Sequence, residues 1–223
     1  MRVPKTEHFK DAEKIQYVTY DNPAPISRYP VITNERQRDK LIKTIERMVR
    51  SSLEYKDFIK FLKEFMDMNN CEFFQNLDGR KIKRLLEIHH EPFDLYSIVD
   101  IVLTKQEKEK GYIDESDVAE EVMRLHYMGL VGLIPLSITP HELVHDGKLA
   151  VPLNCVYGRF VEFVRDYYQY IMDANPAYLV MLNEKIDLTK KLSRDDLSIL
   201  TVRYVYTVVD GFKLPEIIKE ESA

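Results

Sequence analysis

The chain has 223 residues, of which 45% are hydrophobic and 31% are charged, and its formal net charge is −5. This composition is sufficient for a hydrophobic core and excludes an intrinsically disordered chain. The negative net charge excludes a general electrostatic attraction to nucleic acid, so any contact with DNA requires a local basic patch.

The N-terminal third is predicted to form an extended arm followed by helices. Four prolines and the lack of a sustained hydrophobic period favour an extended arm over residues 1–34. Apolar residues then recur at helical spacing through residues 35–70, and Ser51 and Ser52 are expected to divide this segment into two helices.

The middle of the chain, residues 71–155, is predicted to hold a small β element with a helical insertion. Two strand-like runs flank a tight-turn signal at residues 78–79, and the second run ends in "LEIHH". Helices are predicted within residues 93–129, followed by the short strand "GLIPLS". A short helix is then expected to begin at Pro140 and to end at Gly147, before a further short strand, "KLAVPL".

The C-terminal region, residues 156–223, is predicted to consist of amphipathic helices. Its tyrosines recur at helical spacing, which favours helix packing over the stacking of nucleic acid bases. The same helices are a candidate surface for a protein partner or for a second copy of the chain. The whole pattern predicts an α+β fold, mainly α, in which a small β-hairpin and a short helix are embedded in a helical body.

The cysteines and the apolar runs indicate the environment of the protein. Cys71 and Cys155 lie far apart and follow no metal-binding or redox spacing, which favours two free, buried thiols in a reducing cytoplasm. The polar N-terminus is not typical of a signal peptide, and no apolar run approaches the roughly 20 residues needed to span a membrane. We therefore expect a cytoplasmic protein without a membrane segment.

Four of the six histidines form two pairs, His89 with His90 at the end of a predicted strand and His141 with His145 on the predicted short helix. Residues at positions i and i+4 of a helix project from the same face. Two imidazoles placed in this way chelate one divalent ion, with ring nitrogens about 2.0–2.1 Å from a zinc ion. A helix surface without metal is the alternative for the second pair taken alone.

The letters H-E-x-x-H in "PHELVHDG" also match the zinc signature of metalloproteases. In that interpretation Glu142 is the general base and Glu162 is a candidate third ligand. The predicted helix is short, however, because Pro140 starts it and Gly147 stops it. The protease interpretation also gives no role to the histidine pair at the strand end, and we consider it the less favoured one.

The other interpretation uses all four histidines. The segments "RLLEIHH", "GLIPLS" and "TPHELVH" together resemble the HNH, or ββα-metal, nuclease family over roughly residues 80–146. In that family a strand ends in two residues, usually His-His or Asp-His, and is followed by a loop. A second strand and a short helix carrying H-x-x-x-H complete the motif.

The resemblance implies a metal-dependent endonuclease that hydrolyses DNA phosphodiester bonds. His89, His141 and His145 would hold one divalent metal ion, which would be zinc, magnesium, manganese or nickel. His90 would be the general base that deprotonates the attacking water. The resemblance also implies a bacterial or bacteriophage source and a place in the cytoplasm of a bacterial or phage-infected host cell.

The chain departs from the family pattern at Gly132, where the second strand usually opens with an asparagine that holds the loop bearing the general base. This departure and the acidic net charge leave an alternative open. The alternative is a catalytically inactive protein that is stapled by zinc and binds DNA or protein, or has a structural role.

A basic run precedes the paired histidines and consists of Arg80, Lys81, Lys83 and Arg84. Such residues bind backbone phosphates with little sequence preference. We therefore expect this run to contact DNA. The alternative is a strand edge on which the charges prevent pairing with another strand.

Overall fold

The computed structural model describes residue 30 and residues 32–73 and 86–191. Within these residues the chain forms seven α-helices and one sheet of two strands. In chain order the elements are α1 (Glu35–Ser51), α2 (Leu53–Glu64), β1 (Leu86–His90), α3 (Leu95–Lys110), α4 (Glu115–Tyr127), β2 (Leu133–Ser137), α5 (Ile138–His145), α6 (Phe160–Ala174) and α7 (Ala177–Lys191). The predicted α+β class, mainly α, is confirmed.

Some of the predicted features lie outside the described residues. They are almost all of the extended arm, the tight turn at residues 78–79 and the part of the C-terminal region beyond residue 191. Among the described helices, none has both the length and the apolar character needed to cross a lipid bilayer.

Side-chain caps fix the starts of α2 and α3. Ser52 begins α2 by accepting a hydrogen bond from the N–H of Tyr55 at 3.0 Å. Its backbone is extended, with φ −63° and ψ 153°, so α1 and α2 are separate helices, as predicted. Asp94 begins α3 in the same way, by accepting from the N–H of Ser97 at 2.7 Å. The helix α3 therefore starts five residues after His90, the last residue of β1.

The two strands are antiparallel, with His89 opposite Ile134 and His90 opposite Leu133. The helices α3 and α4 form the connection between them, where the helical insertion was predicted. Neighbouring side chains on a strand point to opposite faces of the sheet. His89 and His90 therefore project toward different parts of the molecule.

The core is built around α3, which is buried on most of its sides. Its buried residues are Leu95, Ser97, Ile98, Val99, Asp100, Ile101, Val102, Leu103, Thr104 and Gln106. A helix of this kind must be covered by other elements, and α1, α4 and α6 pack against it. Both cysteines are free and buried in this body, as predicted.

The short helix α5 begins at Ile138, two residues before the predicted start. Ser137 is extended and is the residue before the helix, so β2 runs directly into α5. Pro140 lies at the third helical position, where its missing N–H costs no intrahelical hydrogen bond. The predicted end is correct, because α5 stops at His145 and Gly147 has a positive φ of 67°.

The segment "KLAVPL" is not a strand, contrary to the prediction. The N–H groups of Lys148 and Leu149 both donate to the carbonyl oxygen of Leu143, at 2.8 and 3.0 Å, and so wrap the segment around the end of α5. A short 3-10 turn, Leu153–Cys155, follows. Val151 and Leu153 of this segment are buried in the core without a strand partner, whereas Ala150 is exposed.

Candidate metal centre

Three of the four predicted site histidines lie together. His89 at β1 meets His141 and His145 of α5, and one ring nitrogen from each lies within 4.8 Å of those of the others. The two Nε2 atoms of the α5 pair are 3.2 Å apart. Two nitrogens bound tetrahedrally to one zinc would be about 3.3 Å apart, given Zn–N distances of about 2.0–2.1 Å. The donor set and its spacing therefore fit one divalent ion.

The local fold explains why the three rings converge. Because β2 continues into α5 without a loop, α5 folds back across the two-stranded sheet and packs against both strands. The spacing of four residues puts His141 and His145 on the same helix face. Ring centroids lie 5.1 Å apart for His89 with His141 and 5.0 Å apart for His89 with His145.

A carboxylate orients one of the imidazoles. Oε2 of Glu87 lies 2.9 Å from Nδ1 of His141, so Nδ1–H donates to the carboxylate and Nε2 keeps its lone pair for an ion. Burial lowers the pKa of His141, and Glu87 opposes this shift. The imidazole is therefore neutral near pH 7, which is the form that binds metal. Glu87 was missed in the sequence, although its position two residues before His89 places both on one face of β1.

The fourth predicted residue, His90, lies on the other face of β1 and is 4% exposed. Its Nε2 is 2.9 Å from Nε2 of His126 in α4. Nδ1 of His126 lies 2.7 Å from the carbonyl oxygen of Val122, to which it donates. In a neutral pair, His126 must then accept through Nε2 from Nε2–H of His90, which leaves Nδ1 of His90 as a proton acceptor.

The His90–His126 pair is held neutral by its surroundings. Burial is the main cause that lowers the pKa of His90 well below its usual value, and the neighbouring His126, Arg50 and His89 act in the same direction. Burial likewise lowers the pKa of His126 to about 4. The sequence contained no spacing signal for His126, because its approach to His90 depends on the packing of α4.

A cavity lies over the histidines and brings two cations to them. Its lining includes Arg50 of α1 and Lys63 of α2, together with Tyr55, His90 and the three metal-ligand candidates. Lys63 donates to the carbonyl oxygen of Leu86 at 3.0 Å. Burial lowers the pKa of Lys63, and Glu87 opposes this shift. Neither cation was predicted as a site residue, since each reaches the cavity through helix packing.

The basic run that was predicted to bind phosphate (Arg80, Lys81, Lys83 and Arg84) lies outside the described residues. In the part of the chain that is described, positive charge near the cavity comes from Lys63 of α2 and from α1. Lys43, Arg47 and Arg50 follow one face of this helix at positions i, i+4 and i+7 and line a shallow depression beside the cavity. Arg50 borders both.

The geometry does not use the residues of a metalloprotease site. Glu162 pairs with Arg159 at 3.0 Å instead of joining the histidines. Glu142 is exposed on α5 and is absent from the cluster of potential ligands among the described residues. The third imidazole of the cluster comes from His89 instead.

Gly132 has a structural role at the position where the HNH pattern expects asparagine. A Cβ atom added there would lie 1.8 Å from the carbonyl oxygen of Glu91, so no side chain fits. The main chain replaces the missing amide, because the N–H of Glu91 donates to the carbonyl oxygen of Gly132 at 2.9 Å. The loop after His90 is thus fixed without an asparagine.

We expect Gly132→Ala to destabilise the metal-free protein by about 3 kcal/mol, since backbone atoms must move to admit the methyl group. The melting temperature should fall by about 10 °C in thermal unfolding with EDTA. Gly111→Ala is the matched control. Gly111 has a φ of 72° but no atom within 4 Å of an added Cβ, so we expect only about 1–2 kcal/mol. Equal losses in the two variants would contradict the close approach at Gly132.

Comparisons with known proteins give one match. A family model described as "Bacteriophage G278-like virion protein" matches residues 4–207. No curated protein and no solved structure matches the chain. The family agrees with the bacteriophage source expected from the sequence and covers the whole candidate metal centre. The chain therefore belongs to the family of bacteriophage G278-like virion proteins.

Proposed function

We propose that this virion protein is a metal-dependent endonuclease of the HNH type, which hydrolyses DNA phosphodiester bonds. The observation that carries the proposal is the convergence of His89, His141 and His145 from a strand–strand–helix arrangement, with ligand atoms within 4.8 Å. The order of these elements along the chain is the order of the HNH motif.

Three imidazoles are a donor set that suits zinc or nickel better than magnesium or manganese, which prefer oxygen ligands. Neutral donors leave the ion its full charge, and three donors leave a coordination position open. When bound, the ion supplies charge stabilisation to the phosphate and to the departing oxygen. The three histidines hold it, and Glu87 keeps His141 in the tautomer that presents Nε2.

His90 is the proposed general base. Its ring is neutral near pH 7, and its Nε2–H is engaged by His126, so Nδ1 is the atom that takes the proton from water. The aromatic ring of Tyr55 lies nearly parallel to the imidazole, with ring centroids 6.4 Å apart. These contacts restrict the ring to one orientation. A general base requires this, because it must be held in a fixed position relative to the attacking water.

The proposed partner is DNA, bound through its phosphates. Arg50 and Lys63 border the same cavity as the histidines, and Arg47 and Lys43 extend the positive charge along α1. Arg47 forms no ion pair within the described residues, whereas Lys43 and Arg50 each pair with an acidic residue of α1. Local cations of this kind supply an attraction that the net charge of −5 does not.

A second candidate function is a virion protein in which the metal only staples β1 to α5, and in which DNA or another protein is bound without cleavage. The observation that favours it is the burial of His90. With 4% of the residue exposed and Nε2 turned toward His126, little of the ring can reach a water molecule or a phosphate.

The test is plasmid nicking by the full chain. Supercoiled plasmid is incubated with protein loaded with zinc, nickel, magnesium or manganese, and loading is measured by elemental analysis. We expect conversion to the nicked circle with at least one metal and none in EDTA. A metal-loaded sample that leaves the plasmid intact with all four ions rejects the nuclease and leaves the metal-stapled candidate.

A further inference from the structure

The carboxylate of Glu91, directly after the paired histidines, is nearly inaccessible and is held by a helix far along the chain. Glu91 is 2% exposed. Its Oε1 accepts a hydrogen bond from Nζ of Lys185 in α7, and its Oε2 lies 3.6 Å from Nε2 of His89. Lys185 also donates to the carbonyl oxygen of Pro92 at 3.2 Å. A buried carboxylate needs such a charge partner, and here the same carboxylate faces a metal-ligand candidate.

The main chain of Glu91 is fixed as firmly as its side chain. The N–H donates to the carbonyl oxygen of Gly132 at 2.9 Å, and its own carbonyl oxygen occupies the space in which a Cβ of Gly132 would lie. Both main-chain groups and both carboxylate oxygens thus have defined neighbours. Glu91 cannot turn away from His89 without breaking its contact with Lys185.

We propose that Glu91 and Lys185 together are positioning residues for His89. The carboxylate accepts a hydrogen bond from Nε2–H of the imidazole, so that Nδ1 faces the divalent ion. This inference rests on the proposed function, because it assumes that the three histidines bind a metal. An outer carboxylate of this kind fixes the tautomer of a ligand histidine and increases its donor strength. The 3.6 Å contact is about 0.6 Å longer than a hydrogen bond, and we expect it to shorten when an ion fixes the ring.

The two carboxylates near the ligands differ in a way that supports this role. The side chain of Glu87, beside His141, is 55% exposed, whereas that of Glu91 is 2% exposed. Water screens the first contact and not the second. The inference also makes α7 part of the metal site, although this helix lies outside the strand–strand–helix element that carries the ligands.

The test is the zinc affinity of variants, measured on the full chain by competition with a chromophoric chelator. We expect Glu91→Leu, which leaves no acceptor for Nε2–H of His89, and Lys185→Met each to weaken binding about 10–100-fold. The absorption spectrum of the Co²⁺ form should also change, because the orientation of His89 at the ion changes. Lys185→Arg keeps the ion pair and should retain most of the affinity. Lys190→Met is the matched control, since Lys190 lies on the same helix and its nearest acidic partner is Asp187 at 4.0 Å on the surface.

A double variant separates positioning from simple stability. Glu91→Leu with Lys185→Met removes both charges, so no buried charge is left unpaired, and metal-free stability in thermal unfolding should recover relative to Lys185→Met alone. If the pair positions His89, zinc affinity stays low in the double variant. Wild-type affinity in the double variant overturns the inference and leaves the proposed function intact. A wild-type protein that binds none of zinc, cobalt, nickel, magnesium and manganese overturns both.

Discussion

Replacing His141 by alanine is expected to reduce the bound zinc from about one equivalent to a trace, as measured by elemental analysis after dialysis. The variant retains only two of the three imidazoles that converge within 4.8 Å. Free zinc at 1,000 times its dissociation constant stabilises a folded chain by about 4 kcal/mol. The wild type should therefore melt about 10 °C higher with zinc than with EDTA, and the variant should show no such difference.

The matched control for His141→Ala is Glu142→Gln on the same helix. Glu142 lies between the two candidate ligand histidines in sequence, but it is exposed and is not among the potential ligands within the described residues. We expect full zinc content and unchanged nicking. A metalloprotease would instead need Glu142 as its base. If His141→Ala keeps its zinc, the three-histidine centre is wrong.

The convergence of the three candidate ligands could be predicted because the placement of each depends on a local sequence pattern. The histidine pair ends a strand, and the spacing of His141 and His145 fixes their common helix face. Ser51 and Ser52 similarly marked the break between α1 and α2. Each inference needed only neighbours in sequence, together with the order of elements that the HNH resemblance supplied.

The remainder of the site depends on contacts between distant parts of the chain. Lys185 and Glu91 are 94 positions apart, and His90 and His126 are 36 apart. Sequence periodicity does not reveal such pairs, because each contact depends on how α4 or α7 packs on the core. The false strand at "KLAVPL" has the same origin, since an apolar run does not reveal whether a partner strand is available.

Replacing His90 by alanine is expected to lower the nicking rate by about 10²–10⁴-fold, the usual contribution of a general base, while zinc content stays at the wild-type level. The reason is the division of the two faces of β1: His89 faces α5, whereas His90 faces His126 at 2.9 Å. Plasmid nicking and elemental analysis on the same preparation measure both quantities. Circular dichroism checks that the variant folds, and His90→Gln repeats the test with a larger polar side chain.

His126→Gln is the control that distinguishes a base from a buried support. It removes an equally buried ring, but its amide oxygen can still accept from Nε2–H of His90, so Nδ1 of His90 stays available. If His90 is the general base, His126→Gln should therefore lose much less nicking activity than His90→Ala. Equal losses in the two variants would mean that the pair only supports the cavity wall. Undiminished nicking in His90→Ala and His90→Gln would remove His90 from the chemistry altogether, because no proton transfer at Nδ1 could then be required.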